Sequence, residues 1–311
     1  MATSKKYKIS IITPIRNSEF YLEKCLRSLL KQKFESIQYI FINDASQDNS
    51  LLVLNKIINQ YPSKKEDCII ISQNENKGIS YCRKLGMEIS SGEFIAFCDS
   101  DDYVESDLYL KLYQKAEKSD ADIVTCGYFI EGENTKIIIK PYGYNAANIF
   151  KNIYGKCEIA LWDKLFKKEF LIKNKVLPLE GYNYYEDCFI TIKAIYFAKK
   201  IESLPNPLYH YVDRKNSSSK KNISDNLKSM NKYIKELEFF FKEQKTNPAI
   251  YETLIQRLKF QYKLKLKDEP SITRKEWNNI YKESHSKILK FNDIPFLGRL
   301  KLYFLIKLGI Y

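Results

Sequence analysis

The sequence predicts an α/β fold with a mostly parallel central sheet, followed by a helical C-terminal appendage. Three observations carry that expectation. Between Lys8 and Tyr128 short apolar runs alternate with segments of helical spacing, the pattern of strands joined by crossover helices. Several of those runs stop abruptly at polar or acidic residues, where a parallel sheet puts its ligand-binding loops. From Asn222 to Tyr311 the chain holds 18 Lys and Arg against 10 Asp and Glu, a net of +8, and reads as a basic helical region. The expected division is therefore a domain over residues 1–215 and a second region over 222–311.

The elements follow in order. Strands are expected at Ile9 to Ile12, Tyr39 to Ile42, Cys68 to Ile71, Phe94 to Cys98 and Ile123 to Tyr128. Between the first two, Leu22, Leu26, Leu29 and Leu30 share one face of a helix over Phe20 to Leu30, and Leu51 to Ile58 repeats that spacing. Gly132, Gly143 and Gly155 then read as turns, and a helix is expected from Glu186 to Lys199. Pro205 and Pro207 precede an aromatic run, Leu208 to Val212, and the polar stretch Asp213 to Asn222 reads as a mobile loop or linker. In the basic region Leu258, Phe260, Tyr262, Leu264 and Leu266 alternate with polar residues as a strand would, yet no turn signals bound them, so a helix is favoured. The terminal run Phe296 to Tyr311 is not cleanly amphipathic, because Lys301 and Lys307 fall on different sides of a helix.

Composition sets the outer limits. The 311 residues are 44% hydrophobic and 29% charged, which excludes disorder as the main state. No window approaches the roughly 18 uninterrupted apolar residues of a membrane-spanning helix, and Thr13, Pro14 and Arg16 cut the first apolar run before any cleavage site, so no signal peptide is read. Seven cysteines, spaced by 14 residues or more, form no zinc knuckle and read as free thiols in a reducing cytoplasm. The 51 Lys and Arg exceed the 38 Asp and Glu by 13. That excess suits nucleic acid, an anionic membrane or a phosphate-bearing small ligand, and composition does not choose.

Chemistry concentrates at strand ends. The apolar run from Phe94 ends in Asp99, Ser100, Asp101 and Asp102. Three neighbouring carboxylates repel one another unless a cation or hydrogen-bond donors compensate, and a hard divalent ion held by one or two carboxylates plus ligand phosphates is a natural answer. A solvated turn with Asp102 or Ser106 capping the next helix is the alternative. Asp44, after the second strand, could accept from a uracil or thymine imide, or could make an Asx turn or cap the Leu51 helix. The loop Thr13 to Asn17 contains no glycine, against both a dinucleotide fingerprint and a P-loop. In Asn74 to Gly78, Gly78 permits close backbone approach; Arg83 beyond it faces either a diphosphate or solvent.

Taken together, these spacings resemble the family 2 glycosyltransferases. The matching pieces are Ile9-Ser-Ile-Ile-Thr-Pro14, the turn Ile42 to Ser50, Asn76-Lys-Gly78 with Arg83, and Gly92 to Asp102 with its Asp-X-Asp motif. Trp162 to Leu165 and Glu186-Asp187 resemble acceptor-side segments, and the likeness covers about the first 215 residues. Lys84 stands where the family often has Asn.

The resemblance implies a Rossmann-like glycosyltransferase-A fold and a metal-dependent enzyme using Mn2+ or Mg2+. Thr13, Pro14, Asn17, Asp44, Lys77, Gly78, Arg83, Asp99 and Ser100 would line the donor pocket, with Asp44 on the uracil. Asp99 and Asp101 would hold the metal; His210 would be a late metal ligand or a diphosphate contact, with a partly buried structural histidine as the alternative, and Trp162 would floor the acceptor sugar or sit in the core. Asp187 would be the general base, oriented by Glu186; read without the family, both are acidic residues at an ordinary helix start. The implied partners are a UDP-sugar donor and a glycan or lipid-linked acceptor, with no nucleic acid. The location expected is cytoplasmic, held on the inner face of the membrane by the basic region. A sugar nucleotidyltransferase, a nucleic-acid-binding protein, and a protein of this fold that binds nucleotide sugar without turnover are the rival readings.

Overall fold

The structure, a computed structural model, describes residues 7–133, 135–140, 159–179, 181–182, 184–214, 223–266, 269, 272–291 and 294–308. The chain divides into two compact units, Met1–Tyr144 with Ala160–Ser217, and Asn145–Ile159 with Ser218–Tyr311. Gly143, Gly155 and residues 215–222 of the expected linker lie outside the described residues.

In the first unit, β1 (Ile9–Ile15), α1 (Glu19–Leu30), β2 (Ile37–Asn43), α2 (Ser50–Asn59), β3 (Cys68–Ser72), α3 (Ile79–Ile89) and β4 (Phe94–Phe97) alternate as the sequence predicts. The four strands lie side by side in the order β3, β2, β1, β4, all parallel. β2 and β4 are buried throughout and β1 nearly so, which is why they read as continuous apolar runs: each is covered on both faces. α1 seals one face with Leu22, Cys25, Leu26, Leu29 and Leu30.

The sheet then turns mixed. After β5 (Tyr103–Val104) and α4 (Leu108–Ser119) come β6 (Ile123–Glu131) and β7 (Lys136–Ile139), a hairpin across Gly132. β8 (Lys164–Lys167) inserts antiparallel between β4 and β6. α5 (Lys168–Lys173) and α6 (Glu186–Phe197) precede β9 (Ile201–Val212), which pairs parallel with β6 and antiparallel with β5. The prolines at 205 and 207 lie inside β9, where the ladder slips register between Cys126 and Tyr128; a proline cannot donate to the ladder, and the irregularity absorbs that loss.

The second unit contains α7 (Ile223–Glu243), α8 (Pro248–Leu266), α9 (Arg274–Asn279), a 3-10 segment Lys282–Lys290 and α10 (Phe296–Lys307). α9 opens with a capping box: the Thr273 hydroxyl accepts from Glu276 N–H, and the Glu276 carboxylate accepts from Thr273 N–H. The alternating stretch Leu258 to Leu266 is helical. Two of its lysines, Lys259 and Lys263, are buried with partners, while Lys265 is exposed. Lys259 pairs with Glu238 and Glu283 at 2.7 and 2.9 Å, and Lys263 donates to the carbonyls of Trp277 and Ile280. Among the described residues no helix is long and apolar enough to cross a membrane.

Gly92, just before β4, abuts β1: a Cβ there would sit 2.5 Å from Ser10 N and 2.6 Å from Ile9 C. Those are backbone atoms of a central strand and cannot move aside. Gly92→Ala is therefore expected to destabilise the fold by about 1–3 kcal/mol in urea unfolding.

Candidate active site

The loops at the carboxyl ends of β1, β2 and β4 and the start of α6 build one polar site, and backbone hydrogen bonding sets its outer wall. Asp44 is buried; its Oδ1 accepts from Lys77 N–H at 2.7 Å and its Oδ2 from Gly78 N–H at 3.0 Å. Gly78 has φ of +88°, which explains the glycine at the head of α3. Arg16 donates to the Asp44 carbonyl, and Asn17, itself at φ +47°, accepts from Gln47 N–H at 2.8 Å. The Ser18 and Ser100 hydroxyls meet at 2.7 Å, joining the first loop to the acidic turn. Thr13 is buried in β1 and its hydroxyl has no partner among the described residues, while Pro14 is half-buried and Lys77 exposed.

The acidic turn after β4 sends its three carboxylates in three directions. Asp99 pairs with Arg83 at 2.9 Å and Asp101 pairs with Arg214. Asp102 is buried, accepting from the Tyr209 hydroxyl at 2.8 Å and from Val212 N–H at 2.8 Å. Burial, with Asp99 nearby, holds the Asp102 carboxyl well above the usual carboxylate range. The compensation that three adjacent carboxylates require thus comes from two arginines and two donors on β9.

Arg83 is the connecting residue. Its side chain is only 3% exposed; one nitrogen pairs with Asp99 and another with Glu186, so the end of β4 is tied to the start of α6. Burial alone pushes the guanidinium pKa down, but Asp99, Glu186 and Asp187 more than reverse this and keep it charged. Ser80, one turn earlier on α3, donates to the Tyr182 carbonyl at 2.6 Å and adds a second tether. α6 begins after Tyr185, whose φ of +65° is a costly conformation for a bulky residue and aims the first turn at the site. Glu186 and Asp187 occupy that turn. Burial, followed by repulsion from Asp187, raises Glu186 to about 7 against the pull of Arg83; burial also raises Asp187. Two neighbouring carboxyls held toward neutrality have the chemistry to take up or release a proton near neutral pH.

Two expected site residues are engaged in packing. His210 is buried, its ring stacked between Tyr103 at 4.0 Å and Phe129 at 4.5 Å. Both its nitrogens are engaged, Nδ1 with Glu131 at 3.0 Å and Nε2 with Glu105 at 2.9 Å. Trp162 is buried against Tyr209, Tyr211 and Tyr128, in the aromatic layer that β9 adds to the core. The following pair, Asp163 and Lys164, is a buried ion pair at 2.6 Å braced by Thr125. Arg214 and Tyr209 are the residues sequence reasoning missed, one inside a stretch read as linker and the other inside an aromatic run.

For a divalent cation the chemistry fits. Asp99 and Asp101 are 27% and 20% exposed, hard oxygen donors on one turn, which suits Mg2+ or Mn2+ completed by phosphate and water. Among the described residues no group of three or more His, Cys, Asp or Glu could hold a metal. A cavity of about 620 Å³, lined in part by Glu93, Tyr113, Asp120 and Lys167, opens at the opposite, amino end of β4.

Residues 10–195 match the family model described as Glycosyl transferase family 2. The chain belongs to that family. Relatives include the putative glycosyltransferase EpsH of Bacillus subtilis, 32% identical over 212 residues, and glycosyltransferase GlyA of Streptococcus pneumoniae, 31% identical over 227 residues. Those matches cover 65% and 68% of this chain but 60% of EpsH and 32% of GlyA. The chain thus spans between about a third and three fifths of these relatives' length. Among solved structures, S. aureus TarS 1-349 in complex with UDP-GlcNAc superposes with a TM-score of 0.72 at 19% identity, covering 98% of this chain and 93% of that one. At that identity the likeness concerns the fold, and it identifies the first unit's mixed sheet as glycosyltransferase-A.

Removing Arg83 leaves Asp99 and Glu186 without their cation. Arg83→Met is expected to cost about 3–5 kcal/mol in urea unfolding, and Arg83→Lys to recover little of it, because an ammonium lacks the fork that reaches both carboxylates.

Proposed function

We propose that this chain is an inverting, divalent-metal-dependent glycosyltransferase that moves a hexose or N-acetylhexosamine from a UDP-sugar to a glycan acceptor, one attached to lipid, in bacterial surface polysaccharide synthesis. The observation that carries this reading is the Arg83 bridge, which sets the strand-end carboxylates Asp99 and Asp101 beside the raised Glu186 and Asp187 pair. The names of the relatives add support, among them a poly(ribitol-phosphate) β-glucosyltransferase of Bacillus spizizenii, as does the UDP-GlcNAc in the TarS structure.

In the proposed reaction an acceptor hydroxyl oxygen attacks the anomeric carbon of the donor from the face opposite the diphosphate. The bond between that carbon and the phosphate oxygen breaks, and its electron pair leaves with UDP. Asp187 takes the hydroxyl proton, so an α-linked donor gives a β-linked product. A base whose pKa is raised keeps enough basicity to accept that proton near neutrality. Asp99 and Asp101 would hold the cation, which supplies charge neutralisation on the leaving diphosphate. Asp44 keeps the Lys77-Gly78 backbone against the nucleotide pocket. The location that follows is the cytoplasmic face of the membrane, where nucleotide sugars and lipid-linked acceptors meet.

The test is UDP release from a panel of UDP-sugars with Mn2+, Mg2+ or EDTA. One donor is expected to be hydrolysed slowly and only with metal, and that hydrolysis is expected to be lost in Asp101→Ala. Asp187→Asn is expected to lower acceptor-stimulated turnover by about 10²–10⁴. If no UDP-sugar is bound or hydrolysed with any metal, the reading fails. The pH profile gives a second check. Turnover needs the carboxyl pair ionised, so it is expected to fall as pH drops through a midpoint above the usual carboxylate value of about 4. Glu186→Gln removes the carboxyl that burial and Asp187 raise to about 7 and is expected to move that midpoint down.

A further inference from the structure

The terminal helix α10 contributes no residue to the buried core of its unit. Leu302 and Ile306 pack inward on Phe260, Ile288 and Phe291. The other side is open: Phe296 is 62% exposed, Leu297 79%, Phe304 56% and Leu308 69%. At about 100° per residue, Phe304, Leu297 and Leu308 fall within about 40° of one another, at roughly 80°, 100° and 120° from Phe296. Lys307 lies at about 20° and Lys301 at about 140°, one on each flank of this apolar strip, while Leu302 and Ile306 lie at about 240° and 280° on the inward side.

The separation of the two lysines, which makes the sequence look poorly amphipathic, is therefore an ordered outward face: an apolar ridge with one lysine along each border. Residues 294–308 contain Arg299, Lys301 and Lys307 and no acidic residue, in a region of net charge +8 over 222–311. Among the described residues neither Lys301 nor Lys307 has an acidic partner; Lys307 rests over the Tyr303 ring at 5.0 Å. Long basic side chains can lay their stems beside an apolar strip and extend their charges to lipid headgroups.

We infer that the outward face of α10 docks on an anionic lipid bilayer, with Leu297, Phe304 and Leu308 entering the acyl boundary and Lys301 and Lys307 meeting the headgroups. Charge complementarity selects this occupant. A second copy of the chain would set like charges face to face, and a bilayer of neutral headgroups would leave the flanking lysines unanswered. The inference does not depend on the catalytic reading, and its test needs no activity.

The full chain is mixed with vesicles of phosphatidylcholine and phosphatidylglycerol in equal parts, and separately with phosphatidylcholine alone. Sedimentation with the mixed vesicles is expected, weakening with added salt. Lys301→Gln with Lys307→Gln is expected to lower the affinity about thirtyfold, from roughly 1 kcal/mol for each basic residue near an anionic surface. Phe304→Trp gives a direct readout, expected as a blue shift of its emission on the mixed vesicles. All of these positions are at the surface, and an unchanged circular dichroism spectrum verifies folding. An unshifted Phe304→Trp spectrum, undiminished binding by the lysine variant, or no binding by the full chain overturns the inference. So does sedimentation equilibrium in which the same variants turn a dimer into a monomer, since the face would then belong to a second copy.

Discussion

A single buried guanidinium holds this site together. Arg83 sits inside a sheet-and-helix sandwich where the other buried residues of α3, Ser80, Cys82, Gly86 and Met87, are apolar or small, and its charge is tolerable there only because Asp99 and Glu186 reach it from two different elements. The dependence is mutual. Without Arg83 the partly exposed carboxylate following β4 and the buried one opening α6 would be two negative charges with no reason to approach, and desolvation would drive Glu186 to neutrality. The bridge thus converts three costly groups into one positioned unit, and Asp187 inherits its place from it.

The acidic turn extends the same logic. Asp99, Asp101 and Asp102 diverge because each has its own partner: Arg83 on α3, Arg214 after β9, and the Tyr209 hydroxyl with Val212 N–H on β9. The Tyr209 oxygen also accepts from Asp99 N–H at 3.2 Å, so one side chain supports two positions of the turn. β9 is consequently part of the site although it lies outside the parallel half of the sheet. The two carboxylates left partly exposed, Asp99 and Asp101, are the ones suited to an incoming cation.

Much of this was legible in the sequence because both-face burial writes continuous apolar runs, and because the carboxylates stand directly after those runs. β1 to β4 and the Asp99 turn are visible for that reason. β7 and β8 were not legible: four residues are too few to establish a period, and β8 includes Lys164, whose buried pairing with Asp163 no pattern announces. For His210 and Trp162 residue type allows both a site role and a packed one, and the packing is hidden for a related reason: stacking between Tyr103 and Phe129 is invisible until β5, β6 and β9 are adjacent. The alternation over Leu258 to Leu266 imitated a strand because Lys259 and Lys263 turn inward to partners from other segments. Lys301 and Lys307 carry the converse lesson, charges that look misplaced until the inward face of α10 is known.

The account rests on Arg83 and Glu186 acting as one unit, and a double-mutant cycle tests that directly. Urea unfolding of wild type, Arg83→Met, Glu186→Gln and the double variant gives their coupling energy. The double variant is expected to be less destabilised than the sum of the single ones by about 0.5–3 kcal/mol, since removing both partners leaves no stranded charge between them. Additivity within about 0.3–0.5 kcal/mol would mean that the two side chains are independent, and the bridge could not be what aligns the site.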